Sequence, residues 1–202
     1  MATIKSIIFI LIWLFTSLFL KYGFLRSTIL INLTTNNLIL YKVLFTIFIF
    51  TFYFKPLITK LQELKIKTIY TYSLGFSITA LLVNYILTVS LFGGLLFNNY
   101  SITIFSVVYT LVITPIYEEF VYRFLFLNTK KSIKSNSIII ILSSMLFAYG
   151  HLYSAQGNAI LLVQFFILAI LFSFVYLKTK NIYYSILMHF FYNLMILFLF
   201  NG

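Results

Sequence analysis

Ala159-Ile160-Leu161-Leu162-Val163-Gln164-Phe165-Phe166-Ile167-Leu168-Ala169-Ile170-Leu171-Phe172-Ser173-Phe174-Val175-Tyr176-Leu177 is a run of 19 residues with no charged side chain. As a helix it is about 28 Å long, close to the ~30 Å of a bilayer's hydrocarbon core. Reading upstream, the uncharged stretch continues back to Ile138. The whole chain, 202 residues, is 62% hydrophobic, 21% aromatic and 8% charged. Soluble domains carry roughly 25% charge, and a globule of this length could not hide so much apolar surface from water. A soluble enzyme and a nucleic-acid binder are therefore excluded, in spite of a net charge of +11. The runs lack polar/apolar alternation and are too long for barrel strands. The chain reads as all-α: a polytopic helical membrane protein forming a single transmembrane domain over 1–202.

The charged residues mark out the spans. Ile7–Leu20 is the first, with Lys21 able to snorkel. Leu38–Phe54 is the second if Lys42 also snorkels, and Pro56 closes it. Thr68–Leu127 must hold two, with the turn at Gly93-Gly94 to Asn98-Asn99. Asn136–Tyr153, Ala159–Leu177 and Ile182–Phe200 complete a count of about seven transmembrane helices. Lys5, Lys55, Lys60, Lys65, Lys67, Lys130, Lys131, Lys134, Lys178 and Lys180 then fall on one side, against Lys21, Arg26 and Lys42 on the other. Basic loops stay inside, which predicts a cytoplasmic N-terminus and an extracellular C-terminus. The bias toward Ile, Phe, Tyr, Asn and Lys suggests an AT-rich genome and hence a prokaryotic cell membrane. With no cysteine, disulfides, thiolate metal sites and a cysteine nucleophile are out.

Charges at membrane depth cost about 2.5–3.5 kcal/mol each even on the lenient insertion scale, so each is a functional-site candidate. The sequence has three acids and two histidines. Glu118, Glu119, Arg123, His151 and His189 fall within the predicted spans. In Thr114-Pro115-Ile116-Tyr117-Glu118-Glu119-Phe120-Val121-Tyr122-Arg123, Glu119 and Arg123 stand at i,i+4 with the acid first, the favoured order for an ion pair. Glu118 points about 100° away and stays uncommitted. Pro115 frees a carbonyl upstream and suits a kink. His189 and Asn193 share a helix face. Counted from the cytoplasmic lysines, Glu118 lies about 18 Å deep, His189 about 14 Å and His151 about 23 Å. Spans 4, 5 and 7 thus bring a carboxylate, two imidazoles and a carboxamide into one layer, the inventory of a base, its partner and oxyanion donors.

These three segments, Glu118-Glu119-x-x-x-Arg123, Phe147-x-x-x-His151 and His189-x-x-x-Asn193, resemble the signature of the CPBP family of intramembrane proteases. That family includes the CAAX-processing endopeptidases and bacterial proteins linked to bacteriocin self-immunity. The resemblance covers residues 101–200, as a catalytic core, and leaves 1–100 as accessory helices without a motif. It implies a glutamate-dependent peptidase in which Glu118 and His151 activate water while His189 and Asn193 stabilise the oxyanion. Glu119, Arg123 and Phe147 are implied as support, and a peptide or membrane-protein tail as the substrate.

His-Glu-x-x-His is absent, and a zinc site made of Glu118, His151 and His189 would consume the candidate base. A metal-free site without cofactor is the reading adopted, with that zinc set as its alternative. A non-enzymatic immunity or partner-binding membrane protein is the alternative function, in which the same residues shape a pocket. The bilayer is the expected surrounding, and nucleic acid is not an expected partner.

Overall fold

The computed structural model describes residues 4–22, 35–92, 102–127, 129, 132–152, 155 and 158–199. The expected turn at Gly93-Gly94 to Asn98-Asn99, the side chain of Lys21, and Arg26, Lys130 and Lys131 lie outside the described residues. Every regular element among those described is a helix. Helix α1 is Ile4–Tyr22, α2 is Thr35–Phe52 and α3 is Phe54–Gln62. Helix α4 joins Ile66–Thr68, a π-helical turn at Ile69–Leu74, and Gly75–Phe92. Helix α5 spans Ile104–Leu125, α6 Ile133–Gly150, α7 Ala159–Thr179 and α8 Ile182–Leu199.

Five of these helices, α4 to α8, are long and apolar enough to cross a membrane. The count is six if α2 and α3 form one broken span, since they bend by 87° at Tyr53. The described apolar part of α1, Ile4–Ser17, is shorter. The chain is a multi-pass membrane protein, and the expected seven exceeds this count by α1. Pro56 sits in the first turn of α3, where its missing N–H removes no helical bond. It therefore lies just beyond the bend, and part of the expected cytoplasmic loop is helix.

Local chemistry explains the helix boundaries. Thr103 and Ser106 form a capping box that starts α5. Ser132 Oγ accepts from Ser135 N at 3.1 Å to open α6, and Asn158 Oδ1 accepts from Ile160 N at 2.9 Å to open α7. Lys180, at φ 54, closes α7 in the left-handed conformation, and Asn181 turns the chain directly into α8.

Helices α5 and α8 sit at the centre. Around α5 pack α1, α2, α6, α7 and α8; around α8 pack α3, α4, α5 and α7. Without a hydrophobic force between helices in lipid, small polar residues and interhelical hydrogen bonds carry much of the specificity. Ser73 and Ser77 of α4 donate to the Tyr184 and Met188 carbonyls of α8, at 2.8 and 2.7 Å. Trp13 Nε1 of α1 donates to Tyr117 Oη of α5 at 3.0 Å. Gln164 of α7 donates to Asn84 Oδ1 and, at 3.0 Å, to Thr88 Oγ1, while Asn84 reaches Tyr192 Oη at 2.9 Å. These contacts tie α4 to α7 and α8, and α1 to α5.

Candidate active site

The backbone of α5 is not uniformly α-helical. Thr114–Glu119 is α-helix, bounded by π-helical turns at Tyr109–Ile113 and Phe120–Leu125. Proline explains the first turn. Thr114 N–H donates to the Tyr109 carbonyl, so the next π-type bond would run from residue 115 to the Thr110 carbonyl. Pro115 has no N–H to give. Asn193 Nδ2 of α8 donates to that carbonyl at 2.9 Å instead. The π turns also re-aim the side chains on the intervening turn, where Tyr117, Glu118 and Glu119 are all buried.

Glu119 is fully committed. Its Oε1 lies 3.3 Å from an Arg123 Nη and 3.1 Å from His189 Nδ1, and its Oε2 accepts from Ser185 Oγ. Arg123 is 1% exposed, donates to the Ala169 carbonyl at 3.1 Å, and lies over the rings of Phe147 and Phe172 at 4.6 and 5.1 Å. An arginine so buried is held by its carboxylate, a carbonyl and two aromatic faces together. Phe172 also stacks on the His189 ring at 4.5 Å. This group locks α5 to α7 and α8 and orients His189.

Glu118 is placed differently. Its Oε2 is 3.9 Å from His151 Nε2 and 4.0 Å from His189 Nε2. Among the described residues this buried oxygen has no hydrogen-bond partner. The ring tautomers follow from the opposite nitrogens. His151 Nδ1 faces the Phe147 carbonyl at 2.9 Å, and a carbonyl only accepts, so Nδ1 carries the proton. His189 Nδ1 faces the Arg123-paired Glu119 carboxylate, so it too is the donor. Both rings therefore turn Nε2 toward the Glu118 carboxylate. His151 is fixed by stacking on Phe165, with ring centroids 4.2 Å apart, and on Phe147 at 4.6 Å. On the other side, Glu118 Oε1 is 3.8 Å from Lys42 Nζ of α2, which donates to Tyr109 Oη at 2.9 Å.

Of the residues expected from sequence, Glu118, His151 and His189 meet at one point, and Glu119, Arg123 and Phe147 form the layer behind them. Asn193 is tied to the α5 backbone. Among the described residues, no group of three or more His, Cys, Asp or Glu is arranged to hold a metal ion.

Residues 100–195 match the family model for type II CAAX prenyl endopeptidases, Rce1-like. The matched segment holds α5 through most of α8, with every site residue named above except Lys42. These residues belong to the Rce1-like endopeptidase family. That family is one of proteases, so hydrolysis of a peptide or protein substrate within a multi-pass membrane domain is the class of activity. No curated protein and no solved structure matches the chain.

Sequence reasoning missed three contributors to the Rce1-like site. Lys42 was assigned to the outer face as a snorkelling residue, yet it points inward at Glu118. A lysine near a helix end has two solutions, and only the fold chooses between them. Ser185 is one of many serines in the chain, and nothing in its neighbours marks it as a Glu119 ligand. Thr110 contributes a backbone carbonyl, for which Pro115 five residues on was the one available signal.

Proposed function

We propose that this protein is an intramembrane endopeptidase in which Glu118 is the general base. The observation that carries this reading is the buried Glu118 Oε2, unpartnered among the described residues, with two imidazole Nε2 atoms converging on it. The gaps of 3.9 and 4.0 Å from Glu118 Oε2 to the two imidazoles suit one water, which can give a hydrogen to Glu118 and bond His151 Nε2. Such a water is oriented by His151 and deprotonated by Glu118. Its oxygen bonds to the scissile carbonyl carbon while the carbonyl π pair moves onto oxygen as an oxyanion. Collapse of that intermediate breaks the C–N bond, and the departing nitrogen takes the proton from Glu118. Glu119, Arg123 and Ser185 hold His189 and the helix in register throughout. No step needs a metal.

The test uses purified protein in detergent with two quenched-fluorescent peptides, one farnesylated and ending in a CAAX sequence, the other unprenylated and apolar. Cleavage of either by the wild type, and its fall by at least ~100-fold in Glu118→Gln, is expected. Cleavage should survive a strong chelator. Cleavage that persists in Glu118→Gln overturns the assignment of the base, and chelator inhibition reversed by zinc overturns the metal-free mechanism.

A further inference from the structure

We infer that Tyr122 is a positioning residue: its hydroxyl, set against Gly150, fixes where the end of α6 carries His151 relative to Glu118. This rests on the peptidase reading above. Gly150 is a glycine that the backbone does not require. It is the last helical residue of α6, directly before His151, and its φ lies outside the left-handed region. Glycine weakens a helix relative to alanine, through chain entropy and exposed backbone, so alanine would serve this turn better. What bars a side chain stands on α5. A Cβ at position 150 would lie 2.9 Å from Tyr122 Oη, closer than real Cβ contacts come. The next ring atom, Tyr122 Cζ, lies at 3.9 Å, an ordinary contact. One oxygen atom thus decides which residue can precede His151.

Tyr122 has little freedom to give way. It is buried, and the rings of Trp13 and Phe147 stand edge-on to it, each with centroids 5.3 Å away. Trp13 is held in turn by its bond to Tyr117 Oη, so α1, outside the matched segment, backs this side chain. A side chain at 150 asks for about half an ångström, from 2.9 Å to the 3.4 Å at which contacts become ordinary. The end of α6 has to supply it, and that end carries the imidazole. His151 Nδ1 bonds the Phe147 carbonyl at 2.9 Å, and its ring packs on Phe147 at 4.6 Å. Tyr122 meets both parts of this support, Phe147 with its ring and Gly150 with its hydroxyl. It also stands about one turn along α5 from Glu118. One side chain therefore gauges the distance between the helix of the base and the helix of its imidazole partner. The 3.9 Å between Glu118 and His151 is a span that one water bridges. Reacting groups work only when held within about 0.5 Å of the productive geometry, so the same half ångström matters there.

The experiment compares wild type with Gly150→Ala, Tyr122→Phe and the double variant, after thermal melts show which are folded. It measures kcat and KM on whichever of the two peptides is cleaved. It also records the imidazole NMR resonances of protein with isotope-labelled histidine; the chain has two histidines, and His151→Gln assigns them. Expected in Gly150→Ala is a kcat loss of about tenfold or more, with KM little changed and the His151 resonances shifted. Tyr122→Phe removes the spacer without creating a clash, and should lose kcat a few-fold with a smaller shift. In the double variant the alanine methyl takes the place of the oxygen and faces Cζ at an ordinary distance. Both kcat and the His151 resonances should then return toward wild type. Alanine that harms beside tyrosine and restores beside phenylalanine is a reversal that a general effect on helix stability would not produce. Full kcat and unmoved His151 resonances in folded Gly150→Ala overturn the inference, as does a double variant no more active than Gly150→Ala. With Glu118→Gln inactive, either result leaves the peptidase reading intact. If Gly150→Ala does not fold, the double variant is compared with Tyr122→Phe: recovery supports the inference and further loss overturns it. Wild type that cleaves neither peptide overturns the peptidase reading, and the resonances then decide the placement of His151 alone. A shift in Gly150→Ala that reverses in the double variant supports it, and no shift or no reversal overturns it.

Discussion

Glu118 and Glu119 share a peptide bond, yet one hundred degrees of helix rotation puts them in different chemistry. Glu119 meets Arg123, His189 and Ser185, all fully buried or nearly so. Glu118 faces two imidazole Nε2 atoms on one side and a single cation, 19% exposed, on the other. Removing one member of a buried ion pair strands the other, at about 3–5 kcal/mol, whereas a partly exposed pair contributes about 1 kcal/mol or less. Glu119→Gln should therefore destabilise the folded protein by about 3–5 kcal/mol. Glu118→Gln should change stability by only about 1 kcal/mol, since the new amide can donate to an imidazole Nε2. Denaturation of both variants in the same detergent checks this. Equal losses would make Glu118 a structural tie rather than a group held ready for chemistry. The difference between the two acids was legible beforehand because an i,i+4 pair is local and needs no tertiary information. Lys42 was not legible, because its partner Glu118 stands 76 positions away on another helix.

At the scale of the element, the sequence indicated a distorted α5 through Pro115, and the structure gives that distortion a partner. Asn193 and the Thr110 carbonyl join α8 to α5 at the point where the helix lacks its own donor. Spacing put Asn193 on one face with His189, but His-x-x-x-Asn does not say what lies across from that face. Asn193→Ala leaves the Thr110 carbonyl short of a donor, at a cost of about 1–3 kcal/mol. Pro115→Ala returns an N–H that can reach the same carbonyl. In the Pro115→Ala background, then, Asn193→Ala should cost less, with a coupling energy of about 0.5–3 kcal/mol from a double-mutant cycle of melts. Strict additivity would mean that the amide and the missing N–H do not serve one carbonyl. Asn84 and Gln164, polar residues at membrane depth, bond to each other between α4 and α7. Ser73 and Ser77 do equivalent work between α4 and α8 and gave no such signal, because serine is tolerated almost anywhere in a membrane helix.

For the whole molecule, hydropathy alone conveyed an all-helical membrane protein, because lipid admits few other ways to satisfy the backbone. The span count was harder, as α2 and α3 carry one apolar signal across an 87° bend. The basic residues give the strongest handle on orientation. Asn181 Nδ2 donates to the Lys60 carbonyl at 2.7 Å, and Lys65 N donates to Tyr184 Oη at 2.8 Å. These bonds draw the lysine-rich segment around α3 to the same end of the bundle as Lys178 and Lys180. One pole of the molecule is thus cationic, while Leu152, Ala155 and Asn158, between α6 and α7 at the other pole, are uncharged. Lysine-rich ends are retained on the cytoplasmic side, which sets the expected orientation. The chain has no cysteine, so single cysteines can report it without background. A membrane-impermeant maleimide added to intact cells should label Ala159→Cys, exposed at the start of α7, but neither Thr59→Cys nor Ser137→Cys. Opening the membrane should expose the latter two. Labelling of Thr59→Cys from outside would invert the molecule. Because Lys42, Glu118 and the histidines are fixed to this frame, it would also move the reaction to a substrate approaching from the opposite face.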